Sequence, residues 1–342
     1  MGRLEIDRVC PVSSPQSGRE ALPFPARRDH AQISWGPQLA DAVRRAAAGW
    51  LNEDLGHEAD WTSVALVPAA AAGRLAVVAR RGGVIAGLAA AAVVAAEADS
   101  GLSWEPAVAD GQQVGPATVV AELAGPVRSI LQVERVLLNL LGRLSGVATA
   151  TRQLVAAVAD TDCRIYDTRK TLPGWRLLDK YAVTCGGGFS HRLGLYDAIL
   201  IKDNHLAAVA EAGLSVAAAV ARARRFVEAT FPPPRAAGMV VEVEVDTLQQ
   251  AEEVLAVPVE SRPDIVLLDN MPPHQLAACV ALRDRLAREV ILEASGGITL
   301  ETAATIAATG VDRISTGMPT QAAPALDIAL DWTASTRLPP VS

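Results

Sequence analysis

Residues 164–205 contain the side chains whose types and spacing best suit the binding of an anion. This segment holds seven Lys and Arg against four Asp, whereas the whole chain has a formal net charge of −7. Proteins that bind nucleic acid usually carry their basic excess across a whole face, so a local basic cluster in an acidic chain predicts a small polyanionic ligand. A solvated run of charge is the alternative on charge alone. The triple glycine at 186–188, Thr168 and two histidines interrupt the charges and favour a built site.

Ionisable side chains recur where apolar runs end in the second half of the chain. The runs are followed by Asp167, Thr168, Arg169 and Lys170, by Lys202, by Asp269 and Asn270, and by residues 293–297. On a fifth run, Glu242, Glu244 and Asp246 alternate with valines and therefore face one side of a strand. One Asp after a strand is commonly a helix cap. Repetition at five strand ends instead predicts a shared site at the mouth of an α/β barrel, where the C-terminal strand ends meet.

Two loops near the C-terminus have the composition of a phosphate cradle. Residues 295–297, Ser-Gly-Gly, precede a predicted helix, and Gly317 ends a Ser-Thr-Gly sequence one strand later. Glycine-loop N–H groups and helix N-termini bind anions, and barrels often bind phosphate after their last two strands. The carboxylates of Glu244 and Asp269 suit a hard cation such as Mg²⁺ that is shared with ligand phosphates.

Other chemistries have weaker support in the sequence. His191 and His205 lack a matching Cys or His pair, which disfavours zinc. Cys185 has no evident base partner for a catalytic thiolate. The sequence GGGFSH does not match the G-x-G-x-x-G pattern of dinucleotide-binding folds.

The elements that must position these residues change in character after Cys163. From there, short apolar runs alternate with helical windows, which predicts a parallel sheet closed into a barrel. Before it, a helix is predicted over residues 37–50, followed by short strands and a buried helix over 84–97. A long helix is predicted from Val127 to Val158, with an interruption near Ser145. Along this helix Arg135, Asn139 and Arg143 share one face, either as a solvated stripe or as a functional one.

Composition limits where this chain acts. Half of its 342 residues are hydrophobic, which allows a large core, and residues 1–36 are predicted to be a flexible extension. The four cysteines form no C-x-x-C pair and are expected to be reduced thiols in a cytoplasmic protein. The longest apolar run, residues 84–96, is shorter than the roughly 20 residues that cross a bilayer.

The chain resembles the quinolinate phosphoribosyltransferase family from about residue 37 to its C-terminus. The matching stretches are Glu53–Gly56, Glu134–Thr149, Asp167–Thr171, Lys180–Val183, Gly186–Gly188, His191–Arg192, Leu200–His205, Val241–Val245, Leu267–Asn270 and Ser295–Gly297. The resemblance implies an N-terminal α/β sandwich domain at 37–139, completed by a C-terminal helix within 322–342. It further implies an α/β barrel catalytic domain at 140–321. It also implies a homodimer in which Arg135 enters the partner's site, with no nucleic acid or membrane partner.

The resemblance implies a reaction between two anionic substrates. Phosphoribosyl pyrophosphate would transfer its phosphoribosyl group to quinolinate with loss of CO₂, giving nicotinate mononucleotide for NAD synthesis. The expected quinolinate ligands are Arg135, Thr168, Arg169, Lys170, His191, Arg192 and Lys202. The expected phosphoribosyl pyrophosphate ligands are Glu244, Asp269, Ser295, Gly296, Gly297 and Gly317. Catalysis would rest on Lys170, Lys202, Glu244 and Asp269, with Mg²⁺ as cofactor near the last two.

The chain departs from the family pattern at a few positions. Ser190 stands where Asn is usual, Gln321 stands where a histidine is usual, and residues 232–234 add a predicted surface loop. Two alternatives stay open. One is a related enzyme for nicotinate or another acid, or a paralogue associated with metal transport, although the number of cations favours a dicarboxylate. The other is a non-catalytic barrel that binds phosphometabolites, against which the presence of both Glu244 and Asp269 argues.

Overall fold

The computed structural model describes residues 28–210 and 213–333. Residues 1–27 of the predicted extension therefore lie outside the described part. Residues 28–36 differ from that prediction, because His30 is buried and its neighbours contact the rest of the chain. No helix of the described residues has the length and apolar character needed to cross a membrane.

An antiparallel sheet with helices on it forms the first half of the chain. Its elements are α1 (Pro37–Leu55), α2 (Trp61–Leu66), β1 (Ala72–Ala79), β2 (Gly83–Val84), α3 (Leu88–Ala98), β3 (Ser103–Pro106), β4 (Gln113–Val114), β5 (Thr118–Pro126) and α4 (Val127–Ala157). Helices α1 and α3 pack on each other and, with α4, cover a core that includes Val43, Ala91 and Leu141. The predicted helices over 37–50 and 127–158 are confirmed by α1 and α4.

A parallel sheet with helices between its strands forms the second half. Its elements are β6 (Arg164–Tyr166), α5 (Arg176–Cys185), β7 (Ile199–Ile201), α6 (Asp203–Ala210), α7 (Val216–Thr230), α8 (Pro233–Gly238), β8 (Val241–Val245), α9 (Leu248–Leu255), a short 3-10 helix (Val259–Ser261), β9 (Ile265–Asp269), α10 (Pro273–Leu286), β10 (Ile291–Ser295), α11 (Leu300–Ala307), β11 (Arg313–Ser315) and α12 (Met318–Ala322). The strand order is β6-β11-β10-β9-β8-β7, and every pair is parallel. The predicted alternation of short strands and helices after Cys163 is confirmed.

The parallel sheet is curled around an interior. Strands β8 and β11 are separated by two others, so a flat sheet would place them about 14 Å apart. Arg313 Nη2 on β11 nevertheless lies 3.7 Å from Glu242 Oε1 on β8. Among the described residues the pairing stops at β6 and β7, with Phe189 adding one parallel bridge to Tyr166. The predicted α/β fold, with a curled parallel sheet and a separate antiparallel sheet, is confirmed.

The last strand of the described residues joins the antiparallel sheet of the first half of the chain. Strand β12 (Ile328–Trp332) pairs with β1, from Leu75 opposite Trp332 to Ala79 opposite Ile328. The expectation of a helix is therefore wrong for these residues. The sequence Ile-Ala-Leu-Asp-Trp alternates large apolar side chains with small or polar ones, which is the period of a strand. The rest of the expected helix, residues 334–342, lies outside the described part.

Helix α4 runs without interruption past Ser145. Gly142 and Gly146 face the segment 324–326, and a Cβ atom at Gly146 would lie 2.2 Å from the carbonyl oxygen of Pro324. These glycines therefore permit close packing and do not break the helix. One smaller prediction was also wrong. The predicted loop at 232–234 leads directly into helix α8 at Pro233–Gly238, since proline is well tolerated in a first helical turn. The exact domain boundaries at 36, 139 and 321 stay predictions.

Candidate active site

The interior of the parallel sheet is layered from an apolar floor to a charged mouth. A small buried cluster of Ala198, Val240, Ile265 and Ile291 lies where the strands begin. The next inward-facing positions carry buried charge, including Glu242 and Glu293. The strand ends then present Lys202, Glu244, Asp269 and Ser295, because strands with one direction share one C-terminal edge. The sequence-predicted barrel residues therefore reach a common mouth.

Two guanidinium groups, those of Arg169 and Arg192, lie close enough at this mouth to repel each other. Arg192 is buried, and burial lowers the pKa of its guanidinium, which repulsion by Arg169 lowers further. Within the described residues, Arg192 Nη1 donates one long hydrogen bond of 3.5 Å, to the carbonyl of Ala198. The buried Nε of Arg169 has no hydrogen-bond partner in the part of the chain that the structure describes. Two cations that are held together despite desolvation and mutual repulsion create a binding site for an anion with more than one negative charge.

A buried ion pair ties together the two loops that carry these arginines. Lys180 Nζ contacts the carboxylate of Asp167 and donates to the carbonyl of His191 at 2.9 Å. Asp167 Oδ1 also accepts from the backbone N–H of His191 at 2.8 Å. Burial raises the pKa of Asp167 and lowers that of Lys180, and the attraction between the two charges opposes both shifts. The loops 168–170 and 191–192 are therefore fixed to each other.

Lys202 and Glu244 lie in contact across β7 and β8. The Lys202 ammonium pairs with the Glu244 carboxylate, and their side chains are 42% and 9% exposed. The backbone N–H of Lys202 donates to His205 Nδ1 at 3.0 Å, so His205 orients the loop that carries the lysine. This pair presents a cation and a carboxylate side by side at the mouth.

The loops after β9 and β10 pack tightly on each other. Asn270 adopts a left-handed backbone (φ 53°), and its N–H donates to the carbonyl of Ser295 at 2.9 Å. Gly296 (φ 99°) tolerates no side chain, because a Cβ atom there would lie 2.1 Å from Asn270 Oδ1. Asp269 accepts from the Asn270 amide at 2.6 Å, and Gly297 also has a positive φ. The 295–297 loop thus exposes backbone beside Asp269, as a phosphate cradle requires.

Gly317 lies next to the basic loop at the other side of the mouth. A Cβ atom at Gly317 would lie 3.4 Å from Lys170 Cδ and 2.5 Å from Gln321 Oε1. The hydroxyl of Thr320 donates to the carbonyl of Lys170 at 2.8 Å. The Lys170 side chain is exposed, and Thr168 Oγ1 accepts from the backbone N–H of Lys170 at 3.0 Å. Gln321, the expected substitution for a histidine, therefore contacts the Gly317 loop directly.

Four charged groups form a neutral layer beneath the mouth. His191 Nε2 lies 3.3 Å from Glu242 Oε2 and 3.4 Å from Glu293 Oε1, and Arg313 pairs with Glu293. Burial alone would lower the pKa of His191, but these two glutamates outweigh it and raise the pKa to about 9. The Nε2 atom of His191 is therefore held between two carboxylates.

The same layer contains a group of possible metal ligands. His30, His191 and Glu242 offer ligand atoms within 4.8 Å of one another, which the sequence analysis did not foresee. The Arg313 guanidinium already fills this place, since its Nη2 lies 3.2 Å from His30 Nε2 and 3.7 Å from Glu242 Oε1. An internal cation thus neutralises the group, which disfavours a metal ion there.

Comparison with known proteins shows which family the chain belongs to. The C-terminal domain of quinolinate phosphoribosyl transferase, as a family model, matches residues 147–331, and the N-terminal domain matches residues 60–145. A probable nicotinate-nucleotide pyrophosphorylase [carboxylating] of Synechocystis is 41% identical over 281 residues, which cover 82% of this chain and 89% of the relative. The Mycobacterium leprae nicotinate-nucleotide pyrophosphorylase [carboxylating] is 43% identical over 293 residues, with coverage of 85% and 96%. The chain belongs to the quinolinate phosphoribosyltransferase family.

Solved structures of related proteins have the same fold as this chain. The nicotinate-nucleotide pyrophosphorylase of Francisella tularensis is 35% identical and superimposes with a TM-score of 0.78, covering 89% of this chain and all of that one. The boundary between the two family models, near residue 146, falls inside helix α4. In this quinolinate phosphoribosyltransferase family member, one helix therefore belongs to both domains.

Arg135 is the one expected quinolinate ligand on the first domain. It lies on α4, its side chain is 72% exposed, and within the described residues it pairs only with Glu134, at 3.4 Å. Arg143, two turns further along the same stripe, instead binds Asp179 with two nitrogens and the carbonyl of Thr320. The polar stripe thus divides into one structural arginine and one exposed arginine. The entry of Arg135 into the site of a partner subunit stays a prediction.

Sequence reasoning missed several residues that support the site. Asp167 and Glu293 were expected only as polar residues at strand ends, Lys180 only as matching sequence, and Glu242 only as one of three alternating acids. Arg313 and His30 were not singled out for any role. An available signal was the inward period of the strands, which places Glu293 two residues before Ser295 and Arg313 two before Ser315.

Proposed function

We propose that the chain transfers the phosphoribosyl group of phosphoribosyl pyrophosphate to quinolinate and releases CO₂. The products are nicotinate mononucleotide and pyrophosphate, as a step of de novo NAD synthesis. The enzyme is a pentosyltransferase of the decarboxylating class. Its relatives carry the names nicotinate-nucleotide pyrophosphorylase [carboxylating] and quinolinate phosphoribosyltransferase [decarboxylating] at 36–43% identity.

One observation about the mouth supports this activity most strongly. Arg169 and Arg192 repel each other in a partly buried place, and the Nε of Arg169 lacks a partner within the described residues. Quinolinate has two adjacent carboxylates, and a guanidinium binds a carboxylate with two parallel hydrogen bonds. The dianion would relieve the repulsion, whereas a neutral ligand would not.

The quinolinate pocket extends around this arginine pair. Lys170 and Lys202 add ammonium groups, Thr168 adds a hydroxyl, and Arg135 of the partner subunit closes the pocket in a homodimer. His191 contributes its imidazolium charge from below, because Glu242 and Glu293 lie against its Nε2 and raise its pKa to about 9. This set gives more cations than a single carboxylate needs.

Phosphoribosyl pyrophosphate occupies the other half of the mouth. Backbone N–H groups of Ser295, Gly296 and Gly297, together with Gly317, bind its 5′-phosphate. Glu244 and Asp269 bind the ribose hydroxyls, and their oxygens are the donors that Mg²⁺ prefers. Asp269 fits the metal more readily, because Glu244 is already paired with Lys202. Bound Mg²⁺ would neutralise charge on the pyrophosphate as it leaves.

The residues then act by position and charge. The quinolinate ring nitrogen attacks the anomeric carbon while the bond from that carbon to pyrophosphate breaks, through an oxocarbenium-like state. Glu244 and Asp269 stabilise the positive charge on the sugar, and Lys202 and Lys170 stabilise negative charge on the reacting anions. The new pyridinium accepts the electron pair of the adjacent carbon–carboxylate bond as CO₂ leaves, and a proton replaces the carboxylate. No general base is needed for the first bond.

We also place the enzyme in the cytoplasm. Cys163, Cys185 and Cys279 are free thiols in the described part of the chain, and burial raises the pKa of each. Reduced and unreactive thiols suit a reducing compartment.

An assay of the purified chain tests the function. Wild-type protein with quinolinate, phosphoribosyl pyrophosphate and Mg²⁺ should form nicotinate mononucleotide with one CO₂ for each product. Nicotinate offered in parallel should not react. Product from nicotinate, or none from quinolinate, would contradict the proposal.

A further inference from the structure

Residues 28–35 form a strap that joins the two halves of the molecule. At one end, Ile33 and Trp35 pack on the core of the first domain, and the Trp35 ring lies 5.7 Å from that of Tyr181. At the other end, His30 is buried in the interior of the parallel sheet with a side-chain exposure of 1%. The strap therefore crosses from the first core to the layer beneath the mouth.

Gln32 of the strap holds the backbone immediately before His191. Its Oε1 accepts from the N–H of Ser190 at 2.7 Å, and its Nε2 donates to the carbonyl of Ser190 at 3.1 Å. Ser190 is fully buried, whereas Gln32 is exposed. One carboxamide thus satisfies both backbone groups of Ser190, as a neighbouring strand would.

Asp29 and His30 hold the charged layer itself. Asp29 Oδ1 accepts from Arg313 Nη1 at 2.7 Å, and its other oxygen accepts from the hydroxyl of Tyr166. The His30 ring lies 4.2 Å from the His191 ring, and its Nε2 lies 3.4 Å from Glu242 Oε2. The strap therefore contacts several of the groups that surround His191.

The geometry points to the strap as a positioning element that fixes His191 and Arg192 for quinolinate, with Gln32 as its main contact. This role rests on the proposed function and adds a segment that precedes residue 60, where the family models begin. Asp167 and Lys180 hold the backbone of His191, and Gln32 holds the backbone of the preceding residue, Ser190. Without the second support, the Arg192 guanidinium would sample positions outside the pocket. Displacements on the order of 1 Å reduce turnover strongly.

Gln32→Ala tests this role, with Ser34→Ala as the matched control on an exposed residue of the same strap. Hydrogen exchange at the Ser190 amide should become about 5-fold faster in Gln32→Ala, because one hydrogen bond is worth roughly 1 kcal/mol. The kcat/KM for quinolinate should fall about 10-fold, while the KM for phosphoribosyl pyrophosphate changes by less than about twofold. The melting temperature of Gln32→Ala should equal that of Ser34→Ala.

Two outcomes would overturn the role of the strap. One is Ser190 exchange and kinetics in Gln32→Ala that match Ser34→Ala. The other is an equal loss for both substrates together with a lower melting temperature, which is the mark of general destabilisation. An inactive wild type would contradict the proposed function alone, because the exchange of the Ser190 amide still reports whether Gln32 holds this backbone.

Discussion

Charge at the scale of single residues is divided between two levels of the interior. The lower level is neutral, because Glu242 and Glu293 face Arg313 and protonated His191. Burial would raise the pKa of Glu242, but its cationic neighbours hold it well below its usual range. The upper level keeps an excess of positive charge for a ligand. The lower layer thus gives the mouth a rigid and charge-balanced base.

Removing one cation from the mouth should disable turnover and spare the fold. Arg169→Ala and Lys202→Ala should each lower kcat/KM for quinolinate by about 100-fold or more, since each loses a charge-assisted contact of roughly 3 kcal/mol. Steady-state kinetics and thermal melting check this. Arg164→Ala, which removes an exposed cation that lies over the Phe189 ring, is the control and should retain activity. Wild-type turnover in either mouth variant would remove the pocket assignment.

The protonation of His191 should make stability fall in mild alkali. Its pKa is raised from 6.5 to about 9 in the folded protein, so the stabilisation is complete below pH 6.5 and is lost as the pH rises through 9. The loss amounts to roughly 3 kcal/mol in the free energy of unfolding. Denaturant unfolding between pH 6.5 and 9.5 measures it.

His191→Gln is the reference for that measurement, because it removes the titrating ring and leaves the other ionisable groups in place. The difference in unfolding free energy between wild type and variant should shrink over this range. A constant difference would show that His191 is neutral in the folded protein.

Residue roles were predictable where the signal was local. Arg169, Lys170 and Lys202 follow apolar runs, so their place at the mouth could be read from the strand ends. The supporting contacts could not be predicted from the sequence, because they join distant parts of the chain. Arg313 and Asp29, for example, are 284 residues apart in sequence. The role of His191 also depends on Glu242 and Glu293, whose approach only the curled sheet brings about.

At the scale of elements, the period of apolar residues predicted most of the fold. The barrel strands and helix α4 were found because each has a clear period of its own. Strand β12 was not predicted, because its pairing with β1 is a long-range contact. Helix α8 was not predicted, because prolines occur both in loops and at helix starts. Glycines in α4 were misread as a break when they permit close packing.

Gly146→Ala should therefore destabilise the junction of α4 with the segment 324–326. The added methyl group would meet the Pro324 carbonyl at 2.2 Å, which is far inside contact distance, and overpacking of this kind costs about 1–3 kcal/mol. Gly49→Ala in α1 is the control, because an added Cβ atom meets nothing within 4 Å. The control should gain about 0.5–1 kcal/mol from better helix propensity. Equal stability of the two variants in chemical denaturation would contradict the packing argument.

At the scale of the whole molecule, three connections unite the two domains. Helix α4 belongs to both, β12 returns from the second domain to the first sheet, and the strap at 28–35 links their interiors. The mouth is consequently fixed relative to α4, which carries Arg135 on an exposed face. This arrangement suits a dimer in which each first domain serves the other mouth.

Mixed dimers should reveal such a shared site. Arg135→Ala and Lys202→Ala subunits, each inactive alone, should recover about a quarter of wild-type activity on random mixing, because half of the dimers are hybrids with one intact site. Activity after subunit exchange is the measurement. Arg169→Ala mixed with Lys202→Ala is the control and should show no recovery, since both residues belong to the same mouth. Lack of recovery in verified Arg135→Ala/Lys202→Ala hybrids would contradict the shared site.

Calorimetric affinity for two ligands that differ by one carboxylate tests the central claim most directly. A mouth with paired, unneutralised guanidinium groups should bind quinolinate about 10- to 150-fold more tightly than nicotinate, since the second carboxylate adds a charge-assisted contact of roughly 1.5–3 kcal/mol. Arg169→Ala should lose most of this preference. Equal affinity of the wild-type protein for the two acids, or tighter binding of nicotinate, would contradict the account.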